Sequence, residues 1–254
     1  NTITCIIPTF TNIKGLISLV SFLRKVNCHM IIIDNKPTQE KKDFFKNIKS
    51  RIKYLPQIKN QGFSASINRG VKYAKTSWIV ILNDDIEINN QTVFNRLIQY
   101  AQAHDLSAVS PVLIKPNETV ENYGYQVLPQ GKIKLITRYS PSHATSQYID
   151  GLTAACLVIK TDIFKNIGGF DERFFAYLED VDLFLRLKKK GEKFGICSTV
   201  SVIHNHMTTS ATMGNFKQRE DFKNWIRLII KHWNRRKIIT YFPHIIIERL
   251  RNIS

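Results

Sequence analysis

Three groups of side chains in this chain could do chemistry. The first is Asn83-Asp84-Asp85, placed directly after the apolar run Trp78-Ile79-Val80-Ile81-Leu82. Adjacent carboxylates repel each other unless a cation or a hydrogen-bonded ligand compensates. A hard divalent ion with oxygen ligands, Mg²⁺ or Mn²⁺, does so; a solvated acidic turn closing a core strand is the other reading. The second group is Glu179, Asp180 and Asp182, at the start of a helical pattern. Acids in a first turn complement the helix dipole, so at least one of the three serves only that purpose. The third is His204-Asn205-His206, directly after an apolar run. Histidines there are either metal ligands or satisfied structural residues.

Strands and helices must bring these groups together. Ile3 to Pro8, Met30 to Ile33 and Trp78 to Leu82 are apolar runs of the kind buried on both faces of a parallel sheet. Between them, Lys14 to Val26 and Gln39 to Lys49 have helical spacing, and a third strand is expected near Ile52 to Leu55. The alternation is the βαβ pattern of a doubly wound sheet, and acids at its strand ends lie where such sheets bind ligands. Lys59 to Gly70 reads as a loop and helix start, with Gly62 allowing close backbone approach and Ser64 as N-cap. Free amides there suit an anion, or the segment is a capped structural loop.

Helix is expected over Asn90 to His104 and strand over Ala108 to Ile114. The segment from Lys115 to Tyr148, broken by Pro and Gly, suggests hairpins or a mobile insertion. Ala154 to Ile159 reads as strand, Glu179 to Lys190 as a mostly buried helix, and Phe194 to Cys197 and Val200 to Ile203 as two short strands. The remaining stretch interleaves Trp and Ile with Lys and Arg. It is either a basic amphipathic helix at an anionic membrane surface or a helix packed back on the domain.

A chain of 254 residues with 43% hydrophobic content can bury a sizeable core. The net charge of +17 favours anionic partners. A polyanion binder, however, gains nothing from ordered acids at Asp34, Asp85 and Asp180; no nucleic-acid partner is expected. Cys5, Cys28, Cys156 and Cys197 show no paired spacing and read as buried reduced thiols. Neither a leader nor an apolar span is visible, so a cytoplasmic location is expected, with a peripheral position on the inner face of the plasma membrane as a further option.

Together these motifs resemble the family 2 glycosyltransferases of the GT-A fold, in their rhamnosyltransferase-like branch. The matching residues are Ile7-Pro8-Thr9, Ile33-Asp34-Asn35, Asn60-Gln61-Gly62-Phe63, Leu82-Asn83-Asp84-Asp85, Gly151 with Ala155 and Cys156, Gly168-Gly169-Phe170-Asp171-Glu172, Glu179-Asp180-Val181-Asp182 and Val202-Ile203-His204. They stand in the family's order. The resemblance implies a Rossmann-like, mostly parallel sheet flanked by helices over residues 1–214, and a basic helical segment over 215–254. It implies inverting transfer of a sugar from a nucleotide diphosphate donor, of dTDP-rhamnose or UDP-hexose type, to an acceptor hydroxyl. The setting would be cell-surface polysaccharide synthesis, on a glycan or lipid-linked acceptor.

In that reading Pro8, Thr9, Asp34, Asn60, Gly62, Asn83, Asp84 and Gly151 line the nucleotide-sugar pocket, and Asp180 is the base with Glu179 beside it. Asp85 and His204 bind Mn²⁺ or Mg²⁺, with His206 as the alternative ligand, and Glu87 is ordinary surface. Arg186 or Arg69 could add charge near the leaving group. The Asn205-to-Ser210 stretch departs from the family by lacking a glycine and by carrying a second histidine. A sugar-phosphate nucleotidyltransferase would share the topology, but it wants a glycine-rich basic loop where Pro8-Thr9-Phe10-Thr11-Asn12 stands.

Overall fold

The computed structural model describes residues 3–48, 51–138, 148–205 and 215–251. In chain order the elements are β1 (Ile3–Thr9), α1 (Ile13–Leu23), β2 (Cys28–Asp34), α2 (Gln39–Lys46), β3 (Ile52–Pro56), α3 (Gly62–Val71), β4 (Trp78–Leu82), β5 (Ile86–Glu87), α4 (Val93–Ala103) and β6 (Ala108–Ile114). There follow β7 (Val120–Asn122), β8 (Tyr125–Val127), β9 (Ile133–Leu135), β10 (Cys156–Lys160), α5 (Thr161–Asn166), α6 (Glu179–Lys189), β11 (Phe194–His204), α7 (Phe216–His232) and α8 (Arg235–Arg251).

Nine strands form one sheet in the order β3-β2-β1-β4-β10-β6-β11-β5, with β7 paired to β6. β1, β2, β3, β4, β6 and β11 run one way, and β5, β7 and β10 run against them. All five residues of β4 are buried, because the sheet is covered on both faces. Val80 and Leu82 join a core with α1, α2 and α4, while Ile79 and Ile81 join another with α3, α5 and α6. Each such side chain contributes about 1.5–3 kcal/mol on burial. In α1, Leu16, Leu19, Val20 and Leu23 form the buried stripe, and the Asn12 side chain accepts from the Gly15 amide to cap the helix.

Two expectations need correction, and one of two open readings is met. β11 is one strand rather than two, with an irregularity between Cys197 and Ser201 where its register on β6 shifts. Ser64 is not an N-cap. Gln61 holds that position, and Ser64 sits inside α3, its hydroxyl donating to the Phe174 carbonyl at 2.5 Å. The broken segment after Lys115 forms the β8–β9 hairpin, and its residues 139–147 lie outside those described.

α7 packs back on the domain. Its Leu228 and Ile229, with Trp233 at its C-cap and Ile245 of α8, form a third core with Tyr125, Phe174 and Val181. The Trp225 and Trp233 indoles donate to the carbonyls of Gly131 and Pro129.

Candidate active site

Four parallel strands deliver site residues at their carboxyl ends: Thr9 ends β1, Asp34 ends β2, Asn83-Asp84-Asp85 follow β4, and His204 ends β11. β10 runs the other way and pairs Cys156 with Leu82. Its start, preceded by Gly151 to Ala155, therefore lies at the same edge. Asp180 joins from the first turn of α6. The Ala155 carbonyl accepts from the Asn83 amide at 2.9 Å, and the Ala154 amide donates to Asp180 Oδ2 at 3.3 Å. Asn83, which precedes the strand-end acids, and Asp180, nearly a hundred positions later, thus bond to two consecutive residues.

Asp84 is held by the Thr9 hydroxyl, which donates to Oδ2 at 2.6 Å, while Asn12 Nδ2 donates to its carbonyl at 3.0 Å. Burial raises its carboxyl to about 7; the Thr9 and Asn12 hydrogen bonds oppose this and the Asp85 charge adds to it. Asp85 Oδ1 is buried without a hydrogen-bond partner and lies 3.3 Å from His204 Nε2. On the other side of the ring, Nδ1 is 3.1 Å from Glu121 Oε2. Burial disfavours a charged imidazole, but the two carboxylates outweigh it and raise His204 to about 9.

A divalent cation fits this arrangement. A carboxylate oxygen lacking a hydrogen bond faces an imidazole nitrogen whose opposite nitrogen is oriented by a second carboxylate, as in histidine metal ligands generally, and a cation there would take the place of the proton that the two carboxylates favour. Among the described residues no three His, Cys, Asp or Glu side chains converge as a metal cluster. A cation held by Asp85 and His204 would therefore complete its coordination with water and substrate phosphates, as Mg²⁺ commonly does. His206, the alternative ligand, lies outside the described residues.

Asp180 accepts from the Val181 amide at 2.8 Å as well as from Ala154. Burial outweighs these bonds and raises it from 3.8 to about 6. Glu179 is buried with Oε2 unpartnered; desolvation first, then the Asp180 charge, push its carboxyl well above the usual range. Asp182 is the structural member of the trio. It is fully buried and bonded by Arg186 at 2.8 Å, His232 at 2.8 Å and Lys231 at 2.7 Å; these partners outweigh burial and lower its pKa.

The turn before α6 is strained. Tyr177 and Leu178 both adopt left-handed backbone, φ 71° and 63°, a conformation costing a non-glycine residue about 1–2 kcal/mol. Asn224 of α7, fully buried, holds the turn: its Nδ2 donates to the carbonyls of Ala176 and Tyr177 at 2.8 and 2.9 Å. Its Oδ1 accepts from Arg227 at 2.6 Å.

The remaining expected residues divide. Pro8 and Asn60 are half-buried near the strand ends, and Asn60 Oδ1 accepts from the Gly62 amide at 2.9 Å. Gly62 has φ 82° and a Cβ there would strike the Phe175 carbonyl, so its close approach is to the turn before α6. The next amide, of Phe63, donates to that same carbonyl at 2.7 Å; both helix-start amides are thus bonded within the protein. A Cβ at Gly151 would strike the Tyr125 hydroxyl. Asp34 is fully buried, with Lys41 Nζ at 2.7 Å on Oδ1 and the Tyr54 hydroxyl at 2.6 Å on Oδ2. Its carboxylate therefore faces protein on both oxygens. Arg186 is engaged by Asp182 and the carbonyls of Ile167 and Gly169, and Arg69 by Gln57. Glu87 is exposed, as expected.

Glu121, Asn224, Asn12 and Lys41 were not singled out by the sequence. Asn224 alone leaves a trace there, as a poor helix former in the middle of a helical pattern.

A mixed sheet wound on both faces, with acids gathered at the ends of its parallel strands, is the GT-A architecture. The crystal structure of GalNAc-T7 with UDP, GalNAc and Mn²⁺ superposes with a TM-score of 0.72 at 13% identity, over 94% of this chain and 49% of that one. This chain belongs to Glycosyl transferase family 2, whose family model matches residues 4–168. It is 24% identical to the low-salt glycan biosynthesis hexosyltransferase Agl10 of Haloferax volcanii, covering 84% of this chain and 69% of that protein. It is 22% identical to the N-acetylglucosaminyl-diphospho-decaprenol L-rhamnosyltransferase of Mycobacterium tuberculosis, over 61% of this chain and 59% of that one. The chain thus spans between about half and two thirds of these relatives.

Proposed function

We propose that this chain transfers a hexosyl group from a nucleotide diphosphate sugar, of dTDP-rhamnose or UDP-hexose type, to an acceptor hydroxyl on a growing surface glycan or its lipid-linked precursor, with inversion. The observation carrying this reading is the convergence of Asn83 and Asp180 on Ala155 and Ala154. It sets the strand-end acids, suited to a cation that would meet a donor's diphosphate, beside a carboxylate suited to an acceptor. The relatives' names, a glycan hexosyltransferase and a rhamnosyltransferase for a lipid diphosphate, support the donor and acceptor classes.

In the reaction the acceptor oxygen attacks the anomeric carbon as the carbon–oxygen bond to the diphosphate breaks. Asp180 accepts the acceptor's proton; a carboxyl near pKa 6 is ionised at neutral pH yet basic enough to take it. Burial pushes the Glu179 carboxyl well above the usual carboxylate range, which disfavours a second negative charge beside Asp180. Asp85 and His204 would hold Mn²⁺ or Mg²⁺, which supplies compensation for charge developing on the leaving diphosphate. Pro8, Thr9, Asn60, Gly62, Asn83, Asp84 and Gly151 shape the nucleotide-sugar pocket. Asp34 acts from behind it by fixing Lys41, whose Nζ also donates to the Phe10 carbonyl at 2.6 Å.

Thermal-shift measurements with a panel of nucleotide sugars, each with and without Mn²⁺, test the reading. Asp180→Asn should keep the donor-induced shift and lose transfer. Asp85→Ala should lose the metal-dependent part of the shift. Full transfer by Asp180→Asn would remove Asp180 from the base role.

A further inference from the structure

The two C-terminal helices pack on the domain by one face only. On α8 the packed side is Ile245 and Glu248, both buried, with Ile238 and Tyr241 half-buried against the same core. Ile239, Phe242, Pro243 and Ile246 follow one another at spacings of three, one and three, which places them in a single stripe on a helix of 3.6 residues per turn. That stripe is turned to solvent, with Ile239 75% and Phe242 57% exposed. α7 repeats the arrangement: Ile226 and Ile230, four apart, are exposed, Ile230 at 71%.

The charge around the stripe is of one sign. α8 carries Arg235, Arg236, Lys237, Arg249 and Arg251 against a single acid, Glu248. That acid lies on the packed side and is paired with Lys132 at 2.8 Å. Arg235, four residues before Ile239, continues the stripe, and both Arg235 and Arg236 are exposed. Over residues 215–254 there are ten Lys or Arg and three acids.

We propose that this outward face of α8 docks on a lipid bilayer containing anionic headgroups, with Ile239, Phe242 and Ile246 entering the headgroup–acyl boundary and Arg235 and Arg236 meeting lipid phosphates. An amphipathic helix with an apolar stripe and basic flanks binds such a surface in plane. No described helix is long and apolar enough to cross a membrane, so the contact is peripheral. A second copy of the chain is the poorer occupant. Stripe-to-stripe pairing would bring arginines together with no acid on the face to meet them, between two bodies each of net charge +17. The two readings of the C-terminal segment, packed helix and membrane helix, are therefore opposite faces of the same helix. Docking does not depend on the roles of Asp85 and Asp180.

Flotation with sealed vesicles tests this, using phosphatidylcholine alone and phosphatidylcholine with about one third phosphatidylglycerol. Wild type should float with the anionic vesicles and not the neutral ones, and binding should fall as salt rises. The triple variant Ile239→Ser, Phe242→Ser, Ile246→Ser should bind at least about tenfold more weakly, while its melting temperature and donor-induced thermal shift match wild type. Arg235→Glu with Arg236→Glu should also weaken binding. Absence of wild-type binding to anionic vesicles overturns the proposal. So does unchanged binding by the folded triple variant, or a concentration-dependent dimer that this variant abolishes.

Discussion

Replacing Asn224 by alanine separates holding the catalytic turn from simply packing a helix. The side chain is fully buried and supplies both hydrogen bonds to the carbonyls of Ala176 and Tyr177. Those bonds offset the left-handed backbone of Tyr177 and Leu178, which costs about 2–4 kcal/mol for the pair. Removing the donor from each of these part-buried acceptors costs about 1–2 kcal/mol, the lower part of the range for a buried group. With both bonds gone, the turn before Asp180 loses roughly 2–4 kcal/mol of support. If that loss falls on the placement of the base, kcat drops roughly 30-fold or more, at one decade per 1.36 kcal/mol. Tm falls by about 5–15 °C, from about 2–4 °C per kcal/mol in a chain of this size. Donor KM should hardly change, because the strand-end residues do not touch Asn224.

The assay is initial-rate transfer at saturating donor, with a melting curve on the same preparation. Adding Tyr177→Gly, which accepts φ 71° without penalty, should recover roughly fivefold of the lost kcat. A variant that melts early yet keeps kcat within about threefold of wild type refutes the positioning argument. So does a double variant that recovers nothing.

The pH profile and the Lys41–Asp34 pair give two further tests. Asp180, raised by burial to about 6, must be ionised to accept a proton, so kcat/KM should be level near neutrality and fall tenfold per pH unit below about pH 6. A limb that stays level down to pH 4 would exclude Asp180 as the titrating group. Lys41→Met leaves the fully buried Asp34 carboxylate without its ion-pair partner and should destabilise the fold by about 3–5 kcal/mol in chemical denaturation. Adding Asp34→Asn should restore much of that; equal stability of the two variants would show the pair is not coupled.

The parts legible in the sequence are those set by local pattern. β4 is a continuous apolar run because α1 and α3 lie against its opposite faces, and the acids beyond it announce the edge. α6 shows its buried stripe and its acidic first turn. The two apolar pieces that become β11 looked separate because Ser198, Thr199 and the shifted register interrupt the pattern without ending the strand. Ser64 looked like a cap because nothing local reveals that α3 begins at a left-handed Gly62 two residues earlier. Glu121 and Asn224 depend wholly on tertiary convergence. One sits on a three-residue edge strand and the other on a helix nearly fifty residues after the turn it supports, so no spacing rule links them to His204 or Asp180.

That last separation bears on how the enzyme is made. The strands carrying Thr9, Asp34 and Asp85 leave the ribosome early and can pair with one another while translation continues. The Tyr177–Leu178 turn leaves the ribosome before the residue that holds its carbonyls. Until α7 has been synthesised and has docked, the two Asn224 bonds that offset its left-handed backbone are not made. On the roles proposed above, a nascent chain would gain its donor-binding edge well before its capacity for transfer, which would wait for Asn224, nearly fifty residues after the turn it supports.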